Sequence, residues 1–173
     1  MDGFVARATL DACVDEVRGS PTDDGRIELI VRRPAEGERE VLKSAELDTE
    51  QGLVGDRWSG KLETQLTLMN ARSARVIAGE PQNWPPAGDQ IYVDFSLAGA
   101  DIPPGTRIAL GSAVVEITAE PHTGCGKFVR RFGVDAMKWV NSPVGRELNL
   151  RGVNARVIAG GSVSVGDRIG RVG

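Results

Sequence analysis

Ligands for a structural metal are scarce in this chain: it holds one histidine, His122, and two cysteines, Cys13 and Cys125. A structural zinc site draws on four thiolate or imidazole ligands, so the chain falls short of one. The two cysteines lie far apart and nothing marks an oxidising compartment, so both are read as free thiols. Long apolar runs are missing as well. No stretch approaches the roughly 20 residues that span a bilayer and no signal-peptide core follows Met1, so a soluble, unexported, cytoplasmic chain without a membrane partner is expected. Charge of one sign is not in excess either. The formal net charge is −3 and no long basic run occurs, which leaves no sequence-wide footprint for nucleic acid. Aromatic residues make up only 5%, and Trp58, Trp84 and Trp139 stand in unlike contexts, which reads as packing rather than a stacking platform.

Glycine, by contrast, is plentiful. Its 22 residues, together with short apolar stretches, point to many strands joined by tight turns. The class read from this is β-rich α+β, organised as a single domain over residues 1–173.

Strand signals fall at 26–32, 65–69, 91–95, 106–110, 113–118, 152–158 and 168–172, with 39–47 running back against the first as a hairpin. Asn70 is a good N-cap for a helix over 71–78 that Gly79 closes, and further short helices are read at 126–132, 134–140 and 143–148. Pro81, Pro85, Pro86 and Gly88 make 80–89 a loop, and Gly160-Gly161 reads as a turn. The hexapeptide Ala-Arg-Val-Ile-Ala-Gly occurs at 74–79 and again at 155–160. Its contexts differ, so helix is expected first and strand second.

Chemistry is expected at His122-Thr123-Gly124-Cys125, followed by Gly126-Lys127-Phe128-Val129-Arg130-Arg131. A thiol that opens a helix with Lys127, Arg130 and Arg131 in the next two turns has its thiolate favoured, because amide N–H groups and cations both stabilise negative charge. The competing reading is a buried, inert thiol beside a structural histidine. A cysteine-protease dyad would need an orienting third group and an oxyanion hole, which this spacing does not supply. Lys127, Arg130, Arg131, Arg146, Arg151 and Arg156 concentrate positive charge suited to an anionic ligand, or else pair with Asp135 and Glu147. Gly52-Leu53-Val54-Gly55-Asp56-Arg57 adds two glycines that let backbone approach a ligand, followed by an acid and a guanidinium.

Taken in order, these segments resemble the MOSC family, named for the C-terminal domain of molybdenum-cofactor sulfurases. The resemblance is carried by 52–57, the strand from Gln65, 88–95, 104–118, Pro121 to Cys125, 151–157 and 166–169. The chain departs from the family pattern in Trp58, where a polar aromatic often follows, and in Gly88-Asp89-Gln90, where Gly-Glu-Asn is usual. The resemblance implies a strongly curved β-barrel with several short helices, as in small stand-alone members. It implies that Cys125 is the sulfur carrier or molybdenum ligand, with His122 beside it as a second catalytic candidate. It also places Arg57, Asp56, Lys127, Arg131, Arg151 and Asn154 near the phosphate of a molybdenum cofactor (molybdopterin).

Three functions follow from the resemblance. The first is a molybdenum-cofactor-dependent reductase of small N-oxygenated substrates, fed by an external electron-transfer protein. The second is a persulfide carrier that takes sulfur from a cysteine desulfurase and delivers it to a sulfur acceptor. The third is a non-catalytic binding module.

Overall fold

The computed structural model describes residues 3–58 and 61–173. Its centre is a sheet that closes on itself. β1 (Gly25–Arg32), β6 (Ile91–Asp94), β5 (Leu66–Asn70), β9 (Val153–Ala159), β8 (Ala113–Ile117), β7 (Arg107–Leu110) and β11 (Arg168–Arg171) are neighbours in that order, and β11 returns to pair with β1. The result is a seven-stranded barrel, antiparallel throughout except for β5 against β6. β2 (Glu40–Leu42) extends the sheet along the C-terminal half of β1. A second sheet of β10 (Gly161–Ser164), β3 (Ser44–Asp48) and β4 (Gly52–Leu53) sends Leu47, Leu53 and Val163 into the same core as the barrel strands.

Closure is permitted by a glycine. Gly25 pairs with Ile169 of β11, and a Cβ there would collide with the Asp94 carbonyl oxygen and the Ile169 and Phe95 side chains. Only a residue without a side chain lets β1 touch both of its neighbours at this seam.

Strands that the helices cover are buried on both faces. In β5 all five residues are buried, with Leu66 and Leu68 in the barrel core and Met69 in an outer apolar layer. β1 and β6 behave alike: Ile30, Ile91 and Val93 point inward while Val31 and Tyr92 join the outer layer. Burial on both faces is why apolar residues stand side by side in these strands, as Ile30 with Val31 and Ile91 with Tyr92 and Val93. The outer layer is completed by α1 (Arg7–Ala12), α3 (Ala71–Ala78), α4 (Gly126–Phe132) and α5 (Val134–Val140), with Trp84, Trp139 and Leu10 fully buried.

α3 begins as its sequence dictates, with Asn70 Oδ1 accepting from the N–H groups of Arg72 and Ser73 and Gly79 ending it at φ 74°. The repeated hexapeptide is helical in α3 and extended in β9. Three expectations need correction, and one segment without an expected element gains two helices. Residues 7–18, unassigned from sequence, form α1 and α2 (Val14–Arg18), since Leu10 and Val17 gain a buried face only by packing on the barrel. The 39–47 hairpin splits, because β2 stays with β1 while β3 leaves for the second sheet. Gly161 opens a strand rather than ending a turn. Within 80–89, two single 3-10 turns occur at Pro81–Asn83 and Pro85–Ala87, where proline at the first position costs no hydrogen bond.

Candidate functional site

One pocket of about 620 Å³ opens beside α4. Its wall is assembled from the end of β1 (Arg33), the approach to β2 (Arg39), the loop after β4 (Arg57, Trp58), the 121–125 loop, α4 and Arg151 ahead of β9. Seven cations line it: Arg33, Arg39, Arg57, Lys127, Arg130, Arg131 and Arg151.

The Pro85-Pro86-Ala87-Gly88 turn organises four of them. Its consecutive carbonyls each accept from a different guanidinium: Pro85 from Arg39 at 3.3 Å, Pro86 from Arg131, Ala87 from Arg151 at 2.8 Å and Gly88 from Arg33 at 2.9 Å. Two prolines carry no N–H, and of these four carbonyls Pro85 also accepts from the backbone N–H of Gly88 at 3.1 Å, using the second lone pair that a carbonyl oxygen offers. A carbonyl satisfies a guanidinium hydrogen bond without cancelling its charge. The arginines are therefore fixed in place and stay cationic.

Two buried carboxylates lie under the cluster. Asp56, with a fully buried side chain, accepts from the backbone and side chain of Arg33 and from the N–H of Trp58. Asp89, equally buried, holds Arg151 through Oδ2, and the Arg151 guanidinium lies 5.1 Å over the Phe128 ring. Among the described residues Arg39 has no carboxylate partner, and its pKa falls below the usual arginine range through burial and the neighbouring charges of Arg131, Arg33 and Arg57. Cations gathered closely enough to depress Arg39 favour an anion arriving from outside.

Cys125 is exposed at the pocket edge and is the N-cap of α4, extended at φ −130°. No side-chain hydrogen bond caps the helix through the sulfur. The N–H of Phe128 above all, then that of Lys127 and the charges of Arg151 and Lys127, hold the thiol below its ordinary range against a smaller opposing effect of burial. The 121–125 loop is pinned by paired hydrogen bonds between Asn141 and Gly124 and by the Asn154 amide on the carbonyls of Glu120 and Pro121.

His122 has a side chain 14% exposed, with Nδ1 3.8 Å from Asp89 Oδ1. Neither atom has a hydrogen-bond partner among the described residues. Burial first, then the charges of Arg151 and Arg33, lower its pKa to about 4, with Asp89 opposing, so the ring is neutral at pH 7.

Of the residues picked out from sequence, Cys125, His122, Arg57, Lys127, Arg131, Arg151 and Asn154 line this pocket. Asp56 does not reach it as a ligand, because its carboxylate is buried beneath and occupied by Arg33. Arg156 and Arg146 are elsewhere: Arg156 pairs with Glu116 on the barrel at 2.7 Å, and Arg146 donates to the Asn141 carbonyl. The expected partners differ too, as Asp135 accepts from the backbone N–H of Arg7 and Glu147 pairs with Arg18. Arg33, Arg39 and Asp89 were missed. Arg32-Arg33-Pro34 closes a strand, and only the Pro85–Gly88 carbonyls, 46 and 55 residues on, make Arg39 and Arg33 part of a site. Trp58, read as packing, is 43% exposed on the pocket wall.

Among the described residues no group of three or more His, Cys, Asp or Glu side chains could hold a metal, and no helix is long and apolar enough to cross a membrane.

The closed seven-stranded barrel with short helices packed outside it fits a MOSC-like fold. The chain is similar in structure to YuaD from Bacillus subtilis, at a TM-score of 0.60 and 16% identity over 84% of this chain and 94% of that one. It is likewise similar to YiiM from Escherichia coli (TM-score 0.58, 20% identity, 86% of this chain and 70% of that one). YiiM from Geobacillus stearothermophilus gives a TM-score of 0.60 at 14% identity, over 86% and 75%. At these identities the likeness is one of fold. No protein-family model and no curated protein matches the sequence.

Proposed function

We propose that the pocket holds a pterin-based molybdenum cofactor with Cys125 as the chain's own ligand to the metal, and that a small N-oxygenated substrate is reduced there with electrons from a separate protein. The carrying observation is an exposed thiol of lowered pKa at the edge of a pocket lined by seven cations. The donor set suits the group. The chain offers one soft ligand and no second thiol in the pocket lining, so a metal bound here must bring most of its own ligands, as a metal on an anionic pterin does. When bound, the group would supply two-electron redox chemistry at one metal.

The chain's residues divide the remaining work. Cys125 presents a sulfur whose thiolate form the first amides of α4 favour. Arg39 and Arg131, fixed by the Pro85 and Pro86 carbonyls, grip anionic oxygens, and Asp89 sets the angle of Arg151. His122, neutral and buried, accepts or donates a single hydrogen bond without adding charge.

The exposure of the same sulfur favours a second reading, a persulfide carrier. There the Cys125 thiolate attacks the terminal sulfur of a desulfurase persulfide, the donor's S–S bond breaks and the donor cysteine leaves as thiolate. One preparation tests both. Protein made in a host that synthesises the cofactor is analysed for molybdenum and by intact mass, beside Cys125→Ser. Molybdenum present in the wild type and lost in the variant supports the reductase. A mass gain of one sulfur on Cys125 without metal supports the carrier. Neither metal nor sulfur leaves a non-catalytic module and ends both readings.

A further inference from the structure

The pocket carries more positive charge than one phosphate neutralises, and it carries an exposed aromatic plate. Arg33 and Arg151 are matched by Asp56 and Asp89, but for Arg39, Arg57, Lys127, Arg130 and Arg131 the one carboxylate on the lining among the described residues is Glu36. A phosphomonoester brings about two negative charges, which with Glu36 leaves about two of those five cations uncompensated. The plate is Trp58, next in sequence to Arg57. Its indole N–H donates to the Thr64 carbonyl at 2.8 Å and its backbone N–H to Asp56 Oδ1 at 2.8 Å. Both bonds hold the ring on the pocket wall while it remains 43% exposed. A large aromatic fixed by its polar edge, partly exposed on a wall that it shares with guanidinium groups, suits a ligand that joins a planar ring to anionic groups.

We infer that this site takes a ligand with a diphosphate and a planar base, the chemistry of a nucleoside diphosphate, with the base on Trp58 and the diphosphate across the Arg39–Arg57–Arg131 cluster. The inference rests on the reading above only in taking this pocket as the ligand site. The lowered pKa of Arg39, caused after burial by Arg131, Arg33 and Arg57, agrees with a cluster awaiting several anionic oxygens. The shared chemistry has two sources, a free nucleotide or a nucleotide joined through pyrophosphate to a larger cofactor.

The test titrates the purified full chain with ADP, GDP, inorganic pyrophosphate and inorganic phosphate, by calorimetry and by tryptophan fluorescence. Trp84 and Trp139 are fully buried, so quenching by a stacked base reports Trp58. A nucleoside diphosphate should bind at least about tenfold tighter than pyrophosphate, and pyrophosphate tighter than phosphate. Trp58→Leu should abolish the preference for the base and Trp58→Phe should keep it, while Arg39→Gln should weaken ADP and pyrophosphate alike. Equal affinity for ADP and pyrophosphate, a preference that survives Trp58→Leu, or no binding of any diphosphate overturns the inference. Nucleotide that copurifies identifies the source. A diphosphate released by denaturation alone is free ligand, and a monophosphate released only on acid hydrolysis comes from a pyrophosphate-linked cofactor. Both carry the inferred chemistry. Neither metal nor Cys125 enters the titration, so protein that takes up molybdenum but ignores diphosphates overturns this inference alone. Protein that binds diphosphates but takes up no molybdenum overturns the metal reading alone.

Discussion

At the scale of the residue, two ionisable groups three positions apart, His122 and Cys125, are shifted for different reasons. Cys125 is exposed and its anion is stabilised by helix amides and cations. Its alkylation rate should therefore rise with pH about a midpoint below the ordinary ~8.5 of a free thiol. Lys127→Gln should move that midpoint upward, whereas His122→Gln should leave it in place, since the thiol is tuned by Phe128, Lys127 and Arg151. A wild-type midpoint at or above the ordinary value removes the argument for activation. His122 is buried as the neutral form, with a folded pKa near 4 against about 6.5 unfolded. Between those values the unfolded chain binds a proton that the folded chain refuses, so stability falls as pH drops through that window. From pH 7 to 4.5 the loss due to this residue is roughly 2 kcal/mol. Urea unfolding at the two pH values should show a shallower loss for His122→Gln than for the wild type. Equal losses would mean that the ring is not held neutral.

At the scale of the element, caps and close approaches govern. Asn70 ends β5, caps α3, and donates to Ser20 Oγ and the Phe95 carbonyl from a buried position. Asn70→Ala removes the cap and leaves buried partners unmet, at a cost of about 2 kcal/mol by chemical denaturation. Gly152, between Arg151 and β9, has φ 116°, and a Cβ there would collide with the Leu68 carbonyl oxygen. Gly152→Ala combines backbone strain with a backbone clash, so a loss of about 3 kcal/mol or more is expected. A melting temperature unchanged by that substitution would show that the β5–β9 approach can relax. The Pro85–Gly88 turn is the element on which the pocket depends most. Its sequence announces a break in regular structure, and its carbonyls become the fixed acceptors for four arginines.

At the scale of the whole molecule, the barrel closes at one narrow seam. Only Gly25 and Arg26 of β1 pair with β11, while Ile30 to Arg32 pair with β2. Gly25→Val should open this seam before the rest of the sheet. Hydrogen exchange would show protection lost first in β11 and the facing residues of β1, with β5, β8 and β9 retained. Uniform loss of protection would instead mean that the barrel opens as one unit. Ligand binding belongs to this scale as well, because the pocket's charge is gathered from residues 33 to 151. Any anion it binds should lose affinity steeply as salt rises.

Local signals carried much of the architecture. Strand periodicity marked most of the barrel, Asn70 and Gly79 marked α3, and α4 and α5 fell at the residues read for them, because capping and alternation act over a few neighbours. The context of the repeated hexapeptide also decided correctly between helix and strand. The thiol stood out for the same reason: His122, Cys125 and the basic run lie within ten residues. What tertiary structure alone decided was acquired by contact between distant segments. α1 and α2 exist because the barrel offers them an apolar face, and β3 joins β10 across more than a hundred residues. Asp56 turned inward to hold Arg33, a partner that no spacing in the chain announces. The cation cluster was half legible as the basic residues of α4, but Arg33 and Arg39 entered it only when the fold carried the Pro85–Gly88 carbonyls to them. A charge is written in sequence, whereas its neighbours, its burial and therefore its chemistry are set by the approach of segments that the sequence keeps apart.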